Sequence, residues 1–188
     1  HFKRNKNSWL GSASLHILTN NFCPLKWALY FRHTLGFKMH IRYRKATKED
    51  LNRCIEIRGL TNDNAFSKSE LAAIGVTEES WPPLIESGEF IGFVALENNV
   101  VISFCFGDTN SGEILVLAVL AGYEGHGIGK QLLSLTSKQL ILLGHSELWL
   151  AASATAIVRA YGFYRHVGWQ ATNTYDENGD EILKYREI

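Results

Sequence analysis

The sequence lacks the features that mark membrane proteins, disulfide scaffolds and proteins that wrap nucleic acids. No apolar run approaches the roughly 20 residues that a membrane-spanning helix needs. Basic and acidic side chains both number 19, so the chain offers no cationic surplus for a phosphate backbone. Three scattered cysteines without a CxxC pair argue against a disulfide framework and against structural zinc. We therefore expect no nucleic acid, no membrane and no metal as partners, and a reducing, cytoplasmic location.

The charge is unevenly distributed along the 188 residues. Six of the 19 basic side chains and no acidic one lie in residues 1–38, so residues 39–188 hold 13 basic and 19 acidic groups, a formal charge of −6. The only methionine, Met39, stands at this boundary. We predict that residues 1–38 are a basic N-terminal extension or a segment foreign to the fold (translated upstream sequence or a cloning remnant). Residues 39–188 are predicted to form one domain with its own hydrophobic core.

The periodicities of residues 39–188 predict an α+β fold, in which a mixed, mostly antiparallel sheet carries helices on its faces. Capping-box patterns begin two of the predicted helices, at Thr47 and Ser67, and Pro82 and Pro83 mark a break or the first turn of a third. Strands are predicted over 40–46, 89–96, 100–107, 113–120, 148–151, 169–175 and 181–186. Longer helices are predicted over 127–143 and 156–167. The run 113–120 is almost wholly apolar and is therefore expected to be a central strand buried on both faces.

A glycine-rich loop joins this apolar strand to the long helix. Gly125, Gly127 and Gly129 would let the backbone pass close to a ligand, and the free N–H groups of the helix start would bind an anion. The pattern is not the G-x-G-x-x-G of dinucleotide folds, and Glu124 and Gln131 exclude a P-loop. The sequence thus predicts a pyrophosphate cradle, with an ordinary glycine-rich connection as the alternative.

A second motif follows, with Ala160, Tyr164, Gly168 and Trp169 at the end of a helix and the start of a strand. Together the two segments resemble the GNAT superfamily of acyl-CoA-dependent N-acyltransferases. The family's first motif, Q/R-x-x-G-x-G/A, here reads Glu124-Gly-His-Gly-Ile-Gly129. Its second motif, roughly A-x-x-x-Y-x-x-x-G-F, is matched by the four residues above. Two positions depart from the family, since Glu124 replaces its Gln or Arg and Ala121 its common proline.

The resemblance implies a GNAT-type sheet with a splayed central strand pair, and acetyl-CoA as co-substrate. The pantetheine arm would lie in the gap between the strand ending at Val119 and the strand near residues 148–151, bonded to backbone groups. The amide of Val119 would donate to the thioester oxygen, while the side chains of Leu115, Leu117 and Val119 would be core. The expected cofactor-binding residues are Leu117, Ala118, Val119, Glu124, Gly125, His126, Gly127, Ile128, Gly129, Lys130, Arg159 and Tyr164.

The resemblance also implies two catalytic residues. Tyr164 corresponds to the family tyrosine that reaches the sulfur, where its phenol proton would assist the leaving thiolate; a core tyrosine is the alternative. Glu113 matches the glutamate that serves as base in the protein-acetylating branch, with a solvated turn residue as the alternative and Asp108 as the second candidate. His126 is expected to contact phosphate or solvent, and His166 to act as a helix-end cation.

The acceptor is the least defined part of the prediction. In this family its pocket is built from the first two helices, their connection and the last hairpin, here including Asp63 and the turn 175–180. A primary amine of a small molecule is expected, a protein amine comes second, and an antibiotic amine and a homodimer are left open. A non-catalytic acyl-CoA-binding sensor is the alternative to an enzyme. The candidate substrate-binding residues are Arg58, Asn62, Asn64, Phe66 and Trp81.

Overall fold

The computed structural model describes residues 39–62 and 65–186, so the predicted extension, residues 1–38, lies outside the described residues. Within these ranges seven strands and five helices alternate in the α+β order that the sequence predicts. The strands are β1 (Ile41–Lys45), β2 (Phe90–Glu97), β3 (Val100–Asp108), β4 (Ile114–Val119), β5 (Leu148–Ser153), β6 (Gln170–Tyr175) and β7 (Asp180–Tyr185). The helices are α1 (Leu51–Gly59), α2 (Lys68–Ala73), α3 (Trp81–Ser87), α4 (Ile128–Leu142) and α5 (Arg159–His166).

The strands form two antiparallel sheets. One has the order β1-β2-β3-β4 and the other the order β5-β7-β6. The turn between β2 and β3 places Asn98 at φ 50° and Asn99 at φ 64°, the left-handed conformation at both central positions that a two-residue type I′ hairpin requires. The hairpin of β2 and β3 follows from this turn, as the Asn98-Asn99 pair predicts.

Hydrogen bonds of the capping-box type begin the first two helices. A 3-10 turn, Lys48–Asp50, leads into α1, and the Asp50 carboxylate accepts the backbone N–H of Thr47 at 2.9 Å. The same carboxylate pairs with both terminal nitrogens of Arg44, at 2.6 and 2.7 Å, which ties the start of α1 to β1. Burial works to raise the pKa of Asp50, but the hydrogen bonds from Arg44 and Thr47 outweigh it and lower that pKa.

Helix α4 and the sheet strand β3 form the centre of the hydrophobic core. Ile128, Leu132 and Leu140 of α4 are at most 2% exposed. All of β3 from Val101 to Gly107 is buried, and α4 packs across β2, β3 and β4. None of the helices in the described ranges is both long and apolar enough to cross a membrane.

Two features of the structure differ from the prediction, namely the start of α5 and the burial of β4. Helix α5 begins at Arg159 rather than 156, because Val158 is still extended at φ −76°, ψ 132°. Strand β4 is not buried on both faces: it is the last strand of its sheet, and Leu115, Val116, Leu117 and Val119 are only partly buried. An apolar run indicates water-poor surroundings, but it does not distinguish a packed core from the wall of a cavity.

Candidate active site

Within the described parts of the chain, the two sheets meet at a single point. Glu113 and Trp149 form one isolated parallel bridge, and beyond it β4 and β5 are not paired with each other. On its other side β5 pairs with β7 along its whole length. The strand pair is therefore splayed, as the family resemblance implies, and a cleft of about 820 Å³ opens beside β4.

The backbone of β4 presents polar groups toward this cleft. The Leu120 N–H donates to the Ile102 carbonyl at 2.9 Å, and Ala118 stands opposite Phe104. Antiparallel strands alternate bonded and non-bonded residue pairs, so the N–H and C=O groups of Leu117 and Val119 point away from β3. The bulge of β4 lies at Leu115, where the register with β3 shifts.

A buried serine reinforces this arrangement. The Ser103 hydroxyl donates to the Ala118 carbonyl at 2.6 Å, and this carbonyl belongs to the same peptide unit as the Val119 N–H. A hydrogen bond accepted by a peptide carbonyl polarises the N–H at the other end of the unit. The structure thus gives the outward amide of Val119 a rigid and polarised position.

The glycine loop closes one end of the cleft. Gly125 and Gly127 have φ angles of 78° and 77°, and Gly127 is the residue that precedes α4. A Cβ at either position would meet no atom within 4 Å, so the left-handed backbone rather than crowding requires glycine there. The first residues of α4, Ile128, Gly129 and Lys130, also line the cleft, and their amides form the electropositive end of the helix.

Glu124 holds three segments together at this end. Its carboxylate pairs with Arg159, the first residue of α5, at 2.7 Å and accepts the Asn62 side-chain N–H at 2.8 Å. The Glu124 side chain is 19% exposed and that of Arg159 is 59% exposed. The residue that departs from the family motif therefore has its negative charge partly balanced by a cation on the opposite wall.

Tyr164 lies on the cleft wall provided by α5. Burial raises the pKa of its phenol, and the neighbouring Arg58 cation opposes this in part. The ring makes edge contacts with Phe163 and Trp169, with centroid distances of 5.2 and 6.2 Å. Tyr161, one turn earlier, instead stacks beneath the Arg165 guanidinium at 3.8 Å.

A smaller apolar cavity of about 100 Å³ lies beneath α1, α2 and α3 and against β3 and β4. Arg58 lines both this cavity and the cleft, and its guanidinium lies 4.6 Å from the centre of the Phe66 ring. Trp81 lines the cavity, while Phe66 packs against the buried cluster beside it. Of the other predicted acceptor residues, Asn62 is bonded to Glu124, and Asp63 and Asn64 lie outside the described residues.

The predicted bases lie away from the cleft wall. Glu113 is separated from Val119 by six residues of extended chain, about 20 Å, and lines neither the cleft nor the apolar cavity. Burial and then the nearby Asp108 raise the pKa of Glu113. His166 does line the cleft, whereas His126 is exposed on the glycine loop. Among the described residues no group of three His, Cys, Asp or Glu side chains is placed to hold a metal.

Several cleft residues were not predicted from the sequence. Ala160, Phe163 and Val167 line the cleft beside the predicted Tyr164, on one face of α5 and the residue that follows it, and their helical spacing is a signal that could have identified them. The residues of the apolar cavity carry no such signal, because three short helices, the connection after α2 and two strands all contribute to its lining. The cleft residues absent from the prediction are Thr61, Gly122, Tyr123, Ala160, Phe163, His166 and Val167.

Comparison with known proteins agrees with this geometry. The model of the acetyltransferase (GNAT) family matches residues 46–169. No curated protein matches the sequence significantly. The PaiA N-acetyltransferase from Thermoplasma acidophilum, solved with coenzyme A, is similar at a TM-score of 0.67 and 23% identity, over 79% of this chain and 100% of that chain.

Two further solved structures show the range of acceptors on this fold. The ribosomal-protein-S18-alanine N-acetyltransferase from Escherichia coli matches at a TM-score of 0.56 and 18% identity, over 78% of this chain and 94% of its own. An aminoglycoside 6′-N-acetyltransferase complexed with coenzyme A matches at a TM-score of 0.60 and 15% identity, over 78% of this chain and 97% of its own. Fold, splayed strands and glycine loop thus define an acyltransferase, and the chain belongs to the GNAT acetyltransferase family.

Proposed function

We propose that this protein transfers the acetyl group of acetyl-CoA to a primary amine, by direct attack of the amine while both substrates are bound. The observation that carries the proposal is the outward backbone of Leu117 and Val119, which lines a cleft bounded by the glycine loop and by Tyr164. An extended ligand can bond to such a strand edge as an added strand would. The cleft, at about 820 Å³, has the volume of a typical ligand site.

The residues at the glycine loop fit a pyrophosphate. Gly125 and Gly127 leave open space beside the backbone, and the unpaired amides at the start of α4 favour negative charge. Lys130 of α4 and Arg159 of α5 add two cations that line the cleft. These residues would hold the diphosphate, and Leu117, Ala118 and Val119 would align the arm that leads to the thioester.

Acetyl-CoA supplies a thioester that is already activated for acyl transfer. The Val119 amide would donate a hydrogen bond to the thioester oxygen as negative charge develops there. When the new C–N bond has formed and the C–S bond breaks, Tyr164 would give its phenol proton to the thiolate, and the proton that the attacking nitrogen loses would return to the phenolate through water. Because burial raises the pKa of Tyr164, that proton is present throughout the neutral range.

The acceptor amine must be neutral when it attacks, and Arg58 favours this state. Both Arg58 and Tyr164 line the cleft, and the Arg58 cation opposes part of the rise that burial causes in the Tyr164 pKa, so Arg58 would lie near the reacting atoms. A fixed cation disfavours a second positive charge nearby, and an ammonium there would release its proton to water more readily. Glu113, about 20 Å along the strand from Val119, would then act at most through water.

We propose a small-molecule amine as the acceptor, with a protein amine as the second candidate. The apolar cavity supports the first, because it is small, at about 100 Å³, and continues the cleft at Arg58. The protein-acetylating neighbour from E. coli supports the second. Cys54 and Cys105 are buried free thiols, which supports a cytoplasmic location.

The test is calorimetric titration of acetyl-CoA into the full chain, with NADH and ATP as controls, followed by thiol-release assays across amines. Selective binding of acetyl-CoA with amine-dependent thiol release is expected. Selective binding without release for any small amine or peptide would favour the non-catalytic acyl-CoA sensor. Absence of binding would contradict the cofactor assignment itself.

A further inference from the structure

The charges around the apolar cavity limit which amines can reach the cleft through it. Among the described residues that line this cavity, Arg58 alone carries a charge. On the described part of the cleft wall Glu124 is the one carboxylate, and it already pairs with Arg159. A polyamine or an aminoglycoside would bring further ammonium groups to walls that offer them cations rather than carboxylates.

The rest of the apolar cavity is lined by uncharged side chains. Trp81 meets the buried Phe106 edge to face, with ring centres 5.6 Å apart, and Ile55 and Leu71 belong to the buried cluster at α1 and α2. Cys54 also lines the cavity, and burial raises the pKa of its thiol, so that it stays protonated there. A substituent that enters this cavity must be apolar, because a polar group would give up its hydrogen bonds to water.

The apolar cavity and the cleft meet along β4. Leu115 and Val116 line the cavity, and the next residues of the same strand, from Leu117 to Val119, line the cleft. Arg58 lies on the walls of both spaces. A molecule with its apolar part in the cavity therefore has its polar end at Arg58 and beside the backbone of β4.

Arg58 has the chemistry to hold a carboxylate at this junction. A guanidinium carries five N–H donors in a planar fork, so it can bind a carboxylate through two parallel hydrogen bonds and still keep other contacts. One such contact is the Phe66 ring, whose centre lies 4.6 Å from the guanidinium. Burial lowers the pKa of Arg58, because the charge is held in water-poor surroundings, and an anionic ligand would stabilise that charge.

We propose that the acceptor is an α-amino acid with an apolar side chain, an assignment that rests on the proposed function. The side chain would occupy the apolar cavity, the carboxylate would pair with Arg58, and the amine would face the thioester beside Val119. Pairing with Arg58 also offsets the charge of the carboxylate, which would otherwise hold the proton of the adjacent ammonium. The C–N bond forms, the C–S bond breaks, and the proton that the nitrogen loses balances the one that the thiolate gains. The products are an N-acetyl amino acid and CoA.

The first experiment measures kcat/KM by thiol release for L-leucine and for isopentylamine, which is leucine without its carboxylate. The two amines differ in basicity, so the quantity compared is the change in their ratio between the full-length parent and each variant. Arg58→Met should lower the leucine-to-isopentylamine ratio by roughly tenfold or more. Arg58→Lys keeps the charge but not the planar fork and should retain part of the parent ratio. Arg53→Met, on the same helix but lining neither space, is the matched control and should keep it.

A second comparison tests the apolar cavity in the parent alone. L-Asparagine has the shape of leucine, with an amide in place of the two methyl groups. Its kcat/KM should be lower than that of leucine by roughly tenfold or more, since the amide would be buried among apolar side chains. A binding readout accompanies the rates, because N-acetyl-L-leucine should raise the melting temperature of the parent and of Arg53→Met but not that of Arg58→Met.

The outcomes separate this inference from the proposed function. A merely structural role of Arg58 would lower the rates for both amines together and leave their ratio unchanged, which would overturn the inference while acetyl transfer still stands. A parent that prefers spermidine or a peptide N-terminus to leucine, or that accepts asparagine as well as leucine, would overturn it in the same way. If Arg58→Met does not fold, the ratio in Arg58→Lys decides, and an unchanged ratio there counts against the inference. If no amine of any class releases thiol, the proposed function fails and the inference with it.

Discussion

Arg58 lies on the walls of two cavities that differ in size, in lining and in the part of the chain that builds them. The cleft, at about 820 Å³, takes most of its wall from residues 117–130 and from α5. The apolar cavity, at about 100 Å³, is lined by side chains of three helices and two strands. Backbone groups and glycine conformations shape the first, whereas side-chain packing shapes the second.

This difference indicates how the cleft and the apolar cavity tolerate amino-acid substitutions. A backbone amide stays in place when most side chains are substituted. The cleft therefore depends on the few positions where the backbone is left-handed and requires glycine. The apolar cavity changes shape with each lining residue, so acceptor choice can alter without loss of the cofactor. Substitutions in the two regions test this difference, and their expected effects range from about a hundredfold to less than about twofold.

Gly127→Glu should have the largest effect. The left-handed backbone at φ 77° strains any side chain, by roughly 1–2 kcal/mol, and the new carboxylate would face the anion site. We expect the affinity for acetyl-CoA to fall by at least roughly a hundredfold in calorimetry. Gly144→Glu is the matched control, because Gly144 has φ 109° and equally open surroundings at the other end of α4. If Gly127→Glu binds as the parent does, the cradle assignment is wrong.

Tyr164→Phe should lower kcat by about tenfold to a hundredfold, through loss of the proton donor, and change CoA affinity little. Tyr161→Phe on the same helix removes a hydroxyl that does not line the cleft and should leave kcat unchanged. A raised pKa means that the phenol stays protonated up to and above its ordinary value of about 10. The parent should therefore show no loss of rate from Tyr164 below that pH. An unchanged rate in Tyr164→Phe would remove the residue from the mechanism.

Glu124→Gln should strengthen acetyl-CoA binding by about threefold to tenfold. The amide keeps a hydrogen-bond acceptor for Asn62 and removes a negative charge beside the anion site, one that competes with phosphate for Arg159. The gain should shrink in high salt. Glu86→Gln, which alters an exposed carboxylate paired with Lys48, controls for net charge. Weaker binding in Glu124→Gln would mean that the Glu124–Arg159 pair instead holds the loop in its binding conformation.

Ile74→Ala probes the apolar cavity. Ile74 lines it and is 66% exposed, so its truncation should alter the cavity with little loss of stability. We expect the KM for the acceptor to rise a few fold, by about 1 kcal/mol, with no change in acetyl-CoA affinity. Leu142→Ala, which removes an apolar side chain 79% exposed on α4, should change neither quantity. A parallel loss of acetyl-CoA affinity would show that the two cavities are not separable.

Glu113→Gln should have the smallest effect, less than about twofold on kcat/KM, because the carboxylate lies about 20 Å along β4 from the Val119 amide. A pH–rate profile checks this. If Glu113 were the essential base, its raised pKa would place the acidic limb of the profile above the ordinary range of a glutamate. A tenfold loss of rate together with loss of that limb would restore Glu113 as the base.

Much of the fold could be predicted because it depends on near neighbours in the chain. Asn98 and Asn99 predict their hairpin, and Thr47 with Asp50 predicts the start of α1. The environment of β4 could not be predicted in the same way. Leu117 and Val119 look like core residues in the sequence, but they are only partly buried and line the cleft, because β5 leaves β4 after one bridge.

The candidate site likewise contains some residues that local sequence predicts and others that it does not. Gly125, Gly127 and Tyr164 could be identified because an anion cradle and a helix-borne phenol need particular residue types at short spacing. Asn62, Glu124 and Arg159 are in contact although the first and last are nearly a hundred residues apart in the chain, and no local sequence pattern predicts this contact. Arg58 was a candidate because the family resemblance places the acceptor pocket at the first two helices, but its position between two cavities depends on how α1 packs on β3 and β4.

The sequence was sufficient to identify the family, the alternation of strands and helices, and the glycine-rich loop, since backbone conformation is set largely by adjacent residues. The three-dimensional structure was needed to show which edge of β4 stays unpaired, which carboxylates reach the cleft and what lines the apolar cavity. Those properties arise where segments far apart in the chain meet. A cavity is the space that such packing leaves, and it has no counterpart in any single stretch of sequence.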